Sequence, residues 1–251
     1  MASVDSSDGK GALYVVAVPI GHPDDLTMRA LTIFRSVDLV AAEDPTMTQQ
    51  LLAHHQIHAT VTSYGPVNVK EKVAVLLQRL RQGVRIAIVA DTGSPLIMDP
   101  GALLVAGAHA QGTRVIPIPG PSVGIAALTV AGFSCESFYV LGQLPSITSH
   151  VTRRIADALN NEVPTVAYGN CITAVHALKT IFRLAPRRLV VAACDLTKPD
   201  EAIIRGTARE VCQRLSDRQG GDVTIVVSGK KRGRQNKLVG NHVSSGSHRG
   251  S

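Results

Sequence analysis

Short apolar segments alternate with helix-like segments along this chain, and this alternation limits the possible folds more than any other feature. Strand-like runs occur at Leu13–Val18, Arg85–Ala90 and Arg114–Ile118. Between them, Asp25–Val37 and Val69–Gln82 have apolar residues at the three- and four-residue spacing of one helix face. Strands separated by helices are typical of a largely parallel sheet with helices on its faces. We therefore predict an α/β fold.

A proline-rich segment interrupts this alternation and divides the chain. Pro117, Pro119 and Pro121 stand within five residues, which makes a stiff connector. Strand-like and helix-like segments resume after it. We predict two α/β domains, each a helix-flanked, mostly parallel or mixed sheet, over residues 13–118 and 119–230, with a disordered extension at 1–12 and a basic flexible tail at 231–251.

The net charge of the whole chain gives a misleading impression of its partners. The formal charge is +7, from 26 Lys and Arg against 19 Asp and Glu, a balance common in nucleic-acid-binding proteins. Residues 230–251 contain six of these bases and no acid, which leaves 20 bases and 19 acids in residues 1–229. The excess charge belongs to a Gly- and Ser-rich tail. Such a tail either contacts phosphates without sequence specificity or only keeps the chain in solution.

The cysteines and the apolar runs predict a cytoplasmic protein that does not enter a membrane. The four cysteines lie far apart and form neither a CxxC pair nor a metal-ligand spacing, so we expect reduced thiols. His54, His55 and His58 also lack such a spacing, and we expect no metal site. No apolar run reaches the roughly 20 residues of a membrane span, and residues 1–12 lack a signal-peptide pattern.

One loop concentrates polar groups at the end of a predicted strand. It extends from Val89 to Gly101, with the sequence VADTGSPLIMDPG. In open α/β sheets, ligands bind in crevices at the carboxyl ends of the strands, which makes this loop a candidate ligand site. Asp99-Pro100 has the N-cap and first-position pattern of a helix start, as does Asp44-Pro45, so these two aspartates have a structural explanation.

Six short segments occur in an order that indicates a known family: Leu13–Gly21, Asp25–Leu31, Val37–Asp44, Ser63-Tyr64, Ala90–Pro95 and Pro119–Ser122. Together they resemble the tetrapyrrole methylase superfamily. The similarity continues more weakly through Asp195–Lys198, Ile204–Thr207 and Val226–Lys230. Within the superfamily, the chain is most similar to the enzymes that methylate a ribose 2′-hydroxyl of a cytidine in small-subunit ribosomal RNA.

The resemblance implies a fold, a cofactor and partners. The expected architecture has two α/β domains with S-adenosylmethionine in the cleft between them, and the expected assembly is a homodimer. The implied activity is S-adenosylmethionine-dependent methyl transfer to ribosomal RNA or the small ribosomal subunit. The chain has neither a G-x-G-x-x-G nor a Walker loop, so a nucleotide site of those kinds is not expected.

The resemblance also implies which residues bind the cofactor: Asp91, Ser94, Ile97, Ser122, Val123, Tyr168, Ala193, Cys194, Gly229 and Lys230. Ser122 begins a predicted helix, whose free N–H groups suit an anionic group such as a carboxylate, although a plain N-cap serine explains it equally. The residues at the ends of the second-domain strands are explained equally well as core residues.

Two residues are candidates for a general base. A ribose 2′-hydroxyl is a weak acid, and methyl transfer to it gains from a positioned base. Glu43 follows a predicted strand and has no capping role, while His22 follows the first family segment. An isolated histidine such as His22 is more often a surface or packing residue.

Several positions depart from the family pattern. His22 replaces an asparagine, Thr46 replaces an arginine, and Gly65-Pro66 replaces a histidine and a glutamate. Residues 169–173 replace a segment with an acid, a histidine and an arginine. The small C-terminal domain of the ribosomal enzymes has no counterpart here except the basic tail.

These departures leave the acceptor less well defined than the cofactor. The segments expected to line the cofactor cleft are kept, while those expected to face nucleic acid have lost basic and titratable groups. Two alternatives therefore stand beside ribosomal RNA methylation. One is methylation of a tetrapyrrole, another small molecule or a peptide. The other is a degenerate paralogue that binds the cofactor without catalysis.

Overall fold

The computed structural model describes residues 11–65, 67, 69–95 and 101–230, and its first half forms a fully parallel sheet. The strand order is β3-β2-β4-β1-β5, and every neighbouring pair is parallel. The strands are β1 (Ala12–Val16), β2 (Leu39–Ala42), β3 (Val61–Ser63), β4 (Ile86–Val89) and β5 (Arg114–Ile118). The helices are α1 (Met28–Ser36), α2 (Pro45–His54), α3 (Val69–Arg81) and α4 (Ala102–Ala110).

The second half forms a mixed sheet in the order β6-β7-β10-β8-β9. Only β6 and β7 pair in parallel, and the other three pairs are antiparallel. The strands are β6 (Tyr139–Gln143), β7 (Thr165–Asn170), β8 (Leu189–Cys194), β9 (Ala202–Thr207) and β10 (Asp222–Val227). The helices are α5 (Val123–Ala131), α6 (Thr148–Ala158), α7 (Cys171–Leu184) and α8 (Ala208–Ser216). The predicted α/β class is confirmed, with antiparallel pairing dominant in this sheet.

The topology of the first sheet creates a crevice at the carboxyl ends of β1 and β4. The chain leaves β1 toward β2 on one side and leaves β4 toward β5 on the other. Accordingly, α1 and α2 pack on one face of the sheet and α3 and α4 on the opposite face. The connections that leave these two neighbouring strands thus cover opposite faces of the sheet, and in such a topology ligands bind outside the carboxyl ends of the strands.

The central strands are apolar throughout because both faces are covered. All four residues of β2 and all four of β4 are buried. Strands buried on both faces lack the alternation of apolar and polar residues. None of the helices in the part of the chain that the structure describes is long and apolar enough to cross a membrane.

Two helices begin elsewhere than their apolar spacing predicts, because capping side chains fix their first turns. The helix predicted from Asp25 begins at Met28, where the Thr27 hydroxyl accepts the N–H of Ala30; a short 3₁₀ turn at Pro23–Asp25 precedes it. The apolar spacing of the segment after β7 predicts a helix from Ala174 to Leu184, but α7 begins three residues earlier, at Cys171, since Asn170 and Thr173 form a reciprocal capping box.

The prediction missed strand β9. It lies at the edge of the second sheet, and only Ile204 in it is buried, so its sequence lacks a clear strand pattern. The extension predicted over residues 1–12 also proves too long, because Ala12 is the buried first residue of β1 and pairs with Arg114. The predictions for residues 231–251 and for Asp99-Pro100 lie outside the described residues.

Candidate functional site

A cleft of about 170 Å³ lies between the two sheets, at the carboxyl ends of the first sheet's strands. Loops after β1, β2, β4 and β5 form one side, and β7 of the second sheet supplies the other. The residues that line it are Ile20, Glu43, Ala90, Asp91, Thr92, Gly93, Ser94, Ser122, Val123 and Tyr168. The cleft therefore includes the crevice that the topology predicts.

Two backbone hydrogen bonds join the loops that follow β1 and β4. The N–H of Val18 donates to the carbonyl of Gly93 at 2.9 Å, and the N–H of Gly93 donates to the carbonyl of Pro19 at 3.2 Å. Gly93 has a φ of 69°, and a Cβ there would stand 3.3 Å from a methyl of Ile20. A residue without a side chain thus lets the two loops approach closely.

Asp91 fixes the position of the loop that follows β2. Its Oδ1 accepts the backbone N–H of Asp44 at 2.8 Å. The Asp44 side chain in turn accepts the N–H of Thr46 and caps α2, as the Asp44-Pro45 pattern predicted. Glu43 lies immediately before this anchored residue and borders the cleft. The Asp91 carboxylate therefore holds in place the segment that carries Glu43.

The connector after β5 contacts the β4 loop and leads into α5. The Ser94 hydroxyl donates to the carbonyl of Pro121 at 3.3 Å. Ser122 is the N-cap residue of α5, but its side chain makes no capping hydrogen bond. The predicted N-cap position of Ser122 is therefore confirmed, but its hydroxyl does not satisfy the first N–H groups. The first N–H groups of α5 lack a side-chain acceptor from Ser122 at the border of the cleft, where an anionic group could accept them.

Tyr168 extends from the second sheet toward the start of α5. Its hydroxyl lies so close to this helix that a Cβ on Gly124 would stand 2.5 Å from it. Burial raises the pKa of the Tyr168 phenol above its ordinary value. The ring is therefore a neutral, largely apolar wall whose hydroxyl fits the space left by Gly124.

The charge of the cleft is negative. Its described lining contains the carboxylates of Glu43 and Asp91 and no lysine or arginine. Ile20, Val123 and Tyr168 supply apolar surface, while the N-terminus of α5 contributes a partial positive charge at one border. The arrangement suits a ligand that has a cationic centre, an anionic group and an apolar part.

Two other predicted cofactor residues, Ala193 and Cys194, do not belong to the described lining of the cleft, and their surroundings differ. Ala193 and Tyr168 both pair with Thr224, so they stand at one level of the sheet, and they share a buried cluster beneath α5. Cys194 belongs to the core on the opposite face, where burial raises the pKa of its thiol to about 11. Its side chain therefore points away from the cleft.

The structure does not bring Gly229 and Lys230 to this cleft. Strand β10 runs antiparallel to β7, and its last residue, Val227, pairs with Thr165 at the beginning of β7. The N–H of Lys230 donates to the carbonyl of Asn161 in the loop before β7. Both residues thus lie at the opposite end of the strands from Tyr168.

His22 also stands outside the cleft lining. Its Nδ1 accepts the N–H of Asp24 and caps the 3₁₀ turn, and its own N–H donates to the Thr197 hydroxyl at 2.9 Å. These contacts support the structural interpretation of the residue. Ile97 lies outside the described residues.

Sequence reasoning named the β4 loop but missed Ile20 and Gly124 as parts of the site. Ile20 follows an apolar strand and resembles a core residue, and only the parallel pairing of β1 with β4 places it at the cleft. The sequence signal for the close contact between Gly124 and the Tyr168 ring is a glycine in the first turn of α5, a largely apolar helix.

Comparison with known proteins identifies the family of this fold and cleft. Residues 12–212 match the family model described as "Tetrapyrrole (Corrin/Porphyrin) Methylases". The chain belongs to this family and is a methyltransferase of the S-adenosylmethionine-dependent class. The resemblance found in the sequence is therefore confirmed.

Curated relatives and a solved structure agree with this assignment. The chain is 37% identical over 234 residues to "Ribosomal RNA small subunit methyltransferase I" of Escherichia coli O157:H7, covering 91% of this chain and 81% of the relative. It is 33% identical to the protein of the same name from Thermotoga maritima, covering 88% of this chain and all of that relative. Uroporphyrin-III-C-methyltransferase from Thermus thermophilus superposes with a TM-score of 0.64 at 18% identity, over 87% of this chain and 94% of that one.

The contact between Tyr168 and Gly124 gives a prediction about stability. Gly124→Ala should lower the free energy of unfolding by about 1–3 kcal/mol, because the new methyl collides with the phenol hydroxyl. In a Tyr168→Phe background the collision is absent, and the same substitution should instead stabilise the protein by about 0.4–1 kcal/mol. Urea denaturation of the four proteins measures both effects, and the same sign in both backgrounds would contradict the described geometry.

Proposed function

We propose that this methyltransferase binds S-adenosylmethionine in the cleft between its two sheets and methylates a ribose 2′-hydroxyl of small-subunit ribosomal RNA. The composition of the cleft is the observation that supports the cofactor. The cofactor's sulfonium ion and ammonium group would lie near two carboxylates, and no lysine or arginine is among the described lining residues. The cofactor's carboxylate would lie at the N-terminus of α5.

The residues of the cleft would divide the work of binding. Ser94, Ser122 and Val123 would hold the amino-acid part near α5, while Ile20 and Tyr168 would cover the apolar parts. Ala193 would pack in the same buried cluster as Tyr168 beneath α5, without contact to the cofactor. The bound cofactor would supply a methyl group on a positive sulfur. The acceptor oxygen would take this methyl in line as the carbon–sulfur bond breaks, and the neutral thioether would be the leaving group.

Glu43 is the proposed base for the acceptor. It borders the cleft beside Asp91, and the hydrogen bond from the Asp44 amide to Asp91 fixes the segment that presents it. A carboxylate at this point would accept the proton that the 2′-hydroxyl loses as the new C–O bond forms. Positioning of the acceptor and exclusion of water provide the rest of the catalysis.

The relatives support the choice of acceptor. Eight curated proteins that are 33–37% identical to this chain share the name "Ribosomal RNA small subunit methyltransferase I". The match covers the whole length of the Thermotoga maritima relative. That protein therefore bears the same name without any segment outside the matched region. We infer that this chain acts on the same class of RNA.

A small-molecule acceptor is the second candidate, and the charge of the protein favours it. The described lining of the cleft has no lysine or arginine, and residues 1–229 have 20 bases against 19 acids. A nucleic-acid enzyme normally offers a positive surface to phosphates. For ribosomal RNA, the basic residues at 230–251 would have to provide much of that attraction.

A methyl-transfer assay distinguishes these candidates. The full chain and S-adenosylmethionine with a labelled methyl are incubated with small ribosomal subunits that lack the modification and, in a separate reaction, with the metabolites of a cell extract. Label in the RNA that appears as a 2′-O-methylated nucleoside after digestion supports the proposal. Label in extract metabolites, with none in RNA, supports the second candidate, while cofactor binding without transfer to either supports the non-catalytic alternative.

The family resemblance also leads us to propose a cytoplasmic homodimer. Strand β6 lies at the edge of the second sheet, and Tyr139 and Val140 in it are 47% and 42% exposed. Such an apolar edge is suited to contact with another chain. Light scattering of the purified protein measures the assembly directly, and a monomer at all concentrations would contradict this part of the proposal.

Substitution of Ser94 tests the location of the cofactor. Ser94→Tyr should weaken S-adenosylmethionine binding by about 10- to 100-fold, because the larger side chain occupies the space beside Pro121. Ser216→Tyr is the matched control, since Ser216 is exposed at the end of α8. Calorimetry measures both affinities. Unchanged binding to the Ser94 variant would contradict the proposed location.

Substitution of Glu43 separates catalysis from cofactor binding. Glu43→Gln should lower kcat by about 100-fold or more, the usual loss when a general base is removed, whereas the loss of one of the two lining carboxylates should weaken cofactor binding by no more than about tenfold. His22→Ala, outside the cleft, should retain most of the activity. A His22 variant that loses activity while the Glu43 variant keeps it would reverse the assignment.

A further inference from the structure

A cluster of metal-ligating side chains lies on the surface outside the cleft. Asp24 comes from the 3₁₀ turn after β1, and His54 and His55 come from the end of α2. One ligand atom from each of the three residues lies within 4.8 Å of the others. Thirty positions separate Asp24 from His54, so the sequence spacing did not reveal the cluster.

The end of α2 is built so that two consecutive histidines converge. Neighbouring residues within a helix point about 100° apart. His55, however, is the C-cap residue, with φ −93° and ψ 13°, and Gln56 follows with a left-handed φ of 56°. As the chain leaves the helix, the two imidazole rings meet edge to face with their centroids 4.8 Å apart.

Both imidazoles already face oxygen atoms of the Pro23–Asp25 turn. Nε2 of His54 lies 2.8 Å from Oδ1 of Asp24, and Nε2 of His55 lies 3.0 Å from the carbonyl oxygen of Pro23. A zinc ion bonds such N and O atoms at about 2.0–2.2 Å, which places tetrahedral ligand atoms about 3.3–3.6 Å apart. Small rotations of these side chains would reach that geometry.

The local electrostatics also favour a cation. The C-terminal end of α2 presents a partial negative charge, and the turn has two neighbouring carboxylates, Asp24 and Asp25. The side chains of Asp24 and His54 are 67% and 47% exposed, so water can complete the coordination of an ion.

We propose that Asp24, His54 and His55 form a binding site for a divalent transition-metal ion of the zinc type. Two imidazoles and one carboxylate form a donor set that suits such ions better than it suits Ca²⁺ or Mg²⁺, which prefer oxygen ligands alone. The bound ion joins the turn after β1 to the end of α2. Metal binding therefore stabilises the first domain, independently of the proposed cofactor site.

Thermal unfolding of the full chain, freed of metal with a chelator, tests this site. Zn²⁺ at a hundredfold excess over its Kd should raise the melting temperature by about 5–10 °C. The shift should disappear in Asp24→Asn and in His55→Ala. His58→Ala, at an exposed histidine three positions further along, should keep it.

Two further measurements make the result unambiguous. A doubly substituted protein, His242→Ala with His248→Ala, should keep the full shift, which excludes binding by histidines near the end of the chain. Melting of the Asp24 and His55 variants in chelator should match the parent protein, which shows that they fold. No shift at millimolar Zn²⁺, a shift that persists in both cluster variants, or one that is lost with His242 and His248 would overturn the proposal.

Discussion

The paired backbone hydrogen bonds between Gly93 and the segment after β1 determine the shape of the cleft. They join two neighbouring strands at the point where their connections diverge, so the crevice of the first sheet acquires a defined floor. Because these bonds use backbone atoms, they require the φ of Gly93 and no particular side chain. Ile20 and Thr92, on either side of this junction, line the cleft as a consequence.

Other loops are positioned relative to this junction by single polar contacts. Asp91 holds the β2 loop through the Asp44 amide, and Ser94 holds the β5 connector through the Pro121 carbonyl. The β4 loop therefore determines where Glu43 and the start of α5 stand. A small loop with two side-chain hydrogen bonds thus organises one whole side of the cleft.

Local sequence patterns predicted the parts of the molecule that depend on local physics. Apolar runs and helical spacing indicated most strands and helices, and Asp44-Pro45 indicated the start of α2. The β4 loop emerged because it follows a strand of the parallel sheet, whereas Ser122 and Val123 came from the family resemblance. The order of the family segments indicated the proposed cofactor region, although no single segment was specific.

Features that depend on tertiary pairing were not predictable in this way. The direction of β10 decides that Gly229 and Lys230 lie at the end of the second sheet's strands opposite to Tyr168, and no local pattern specifies that direction. Strand β9 lacked a pattern because it is an edge strand with one buried residue. The Asp24 cluster needed residues 30 positions apart in the sequence to meet.

Hydrogen exchange of the full chain, with and without S-adenosylmethionine, tests the central claim that the cofactor binds between the two sheets. If the cofactor binds there, we expect slower exchange in two separate regions, the β4 loop at 91–95 and the first turn of α5 at 123–125, with little change around 229–230. Protection confined to one of the two regions, or protection concentrated around Gly229 and Lys230, would contradict it.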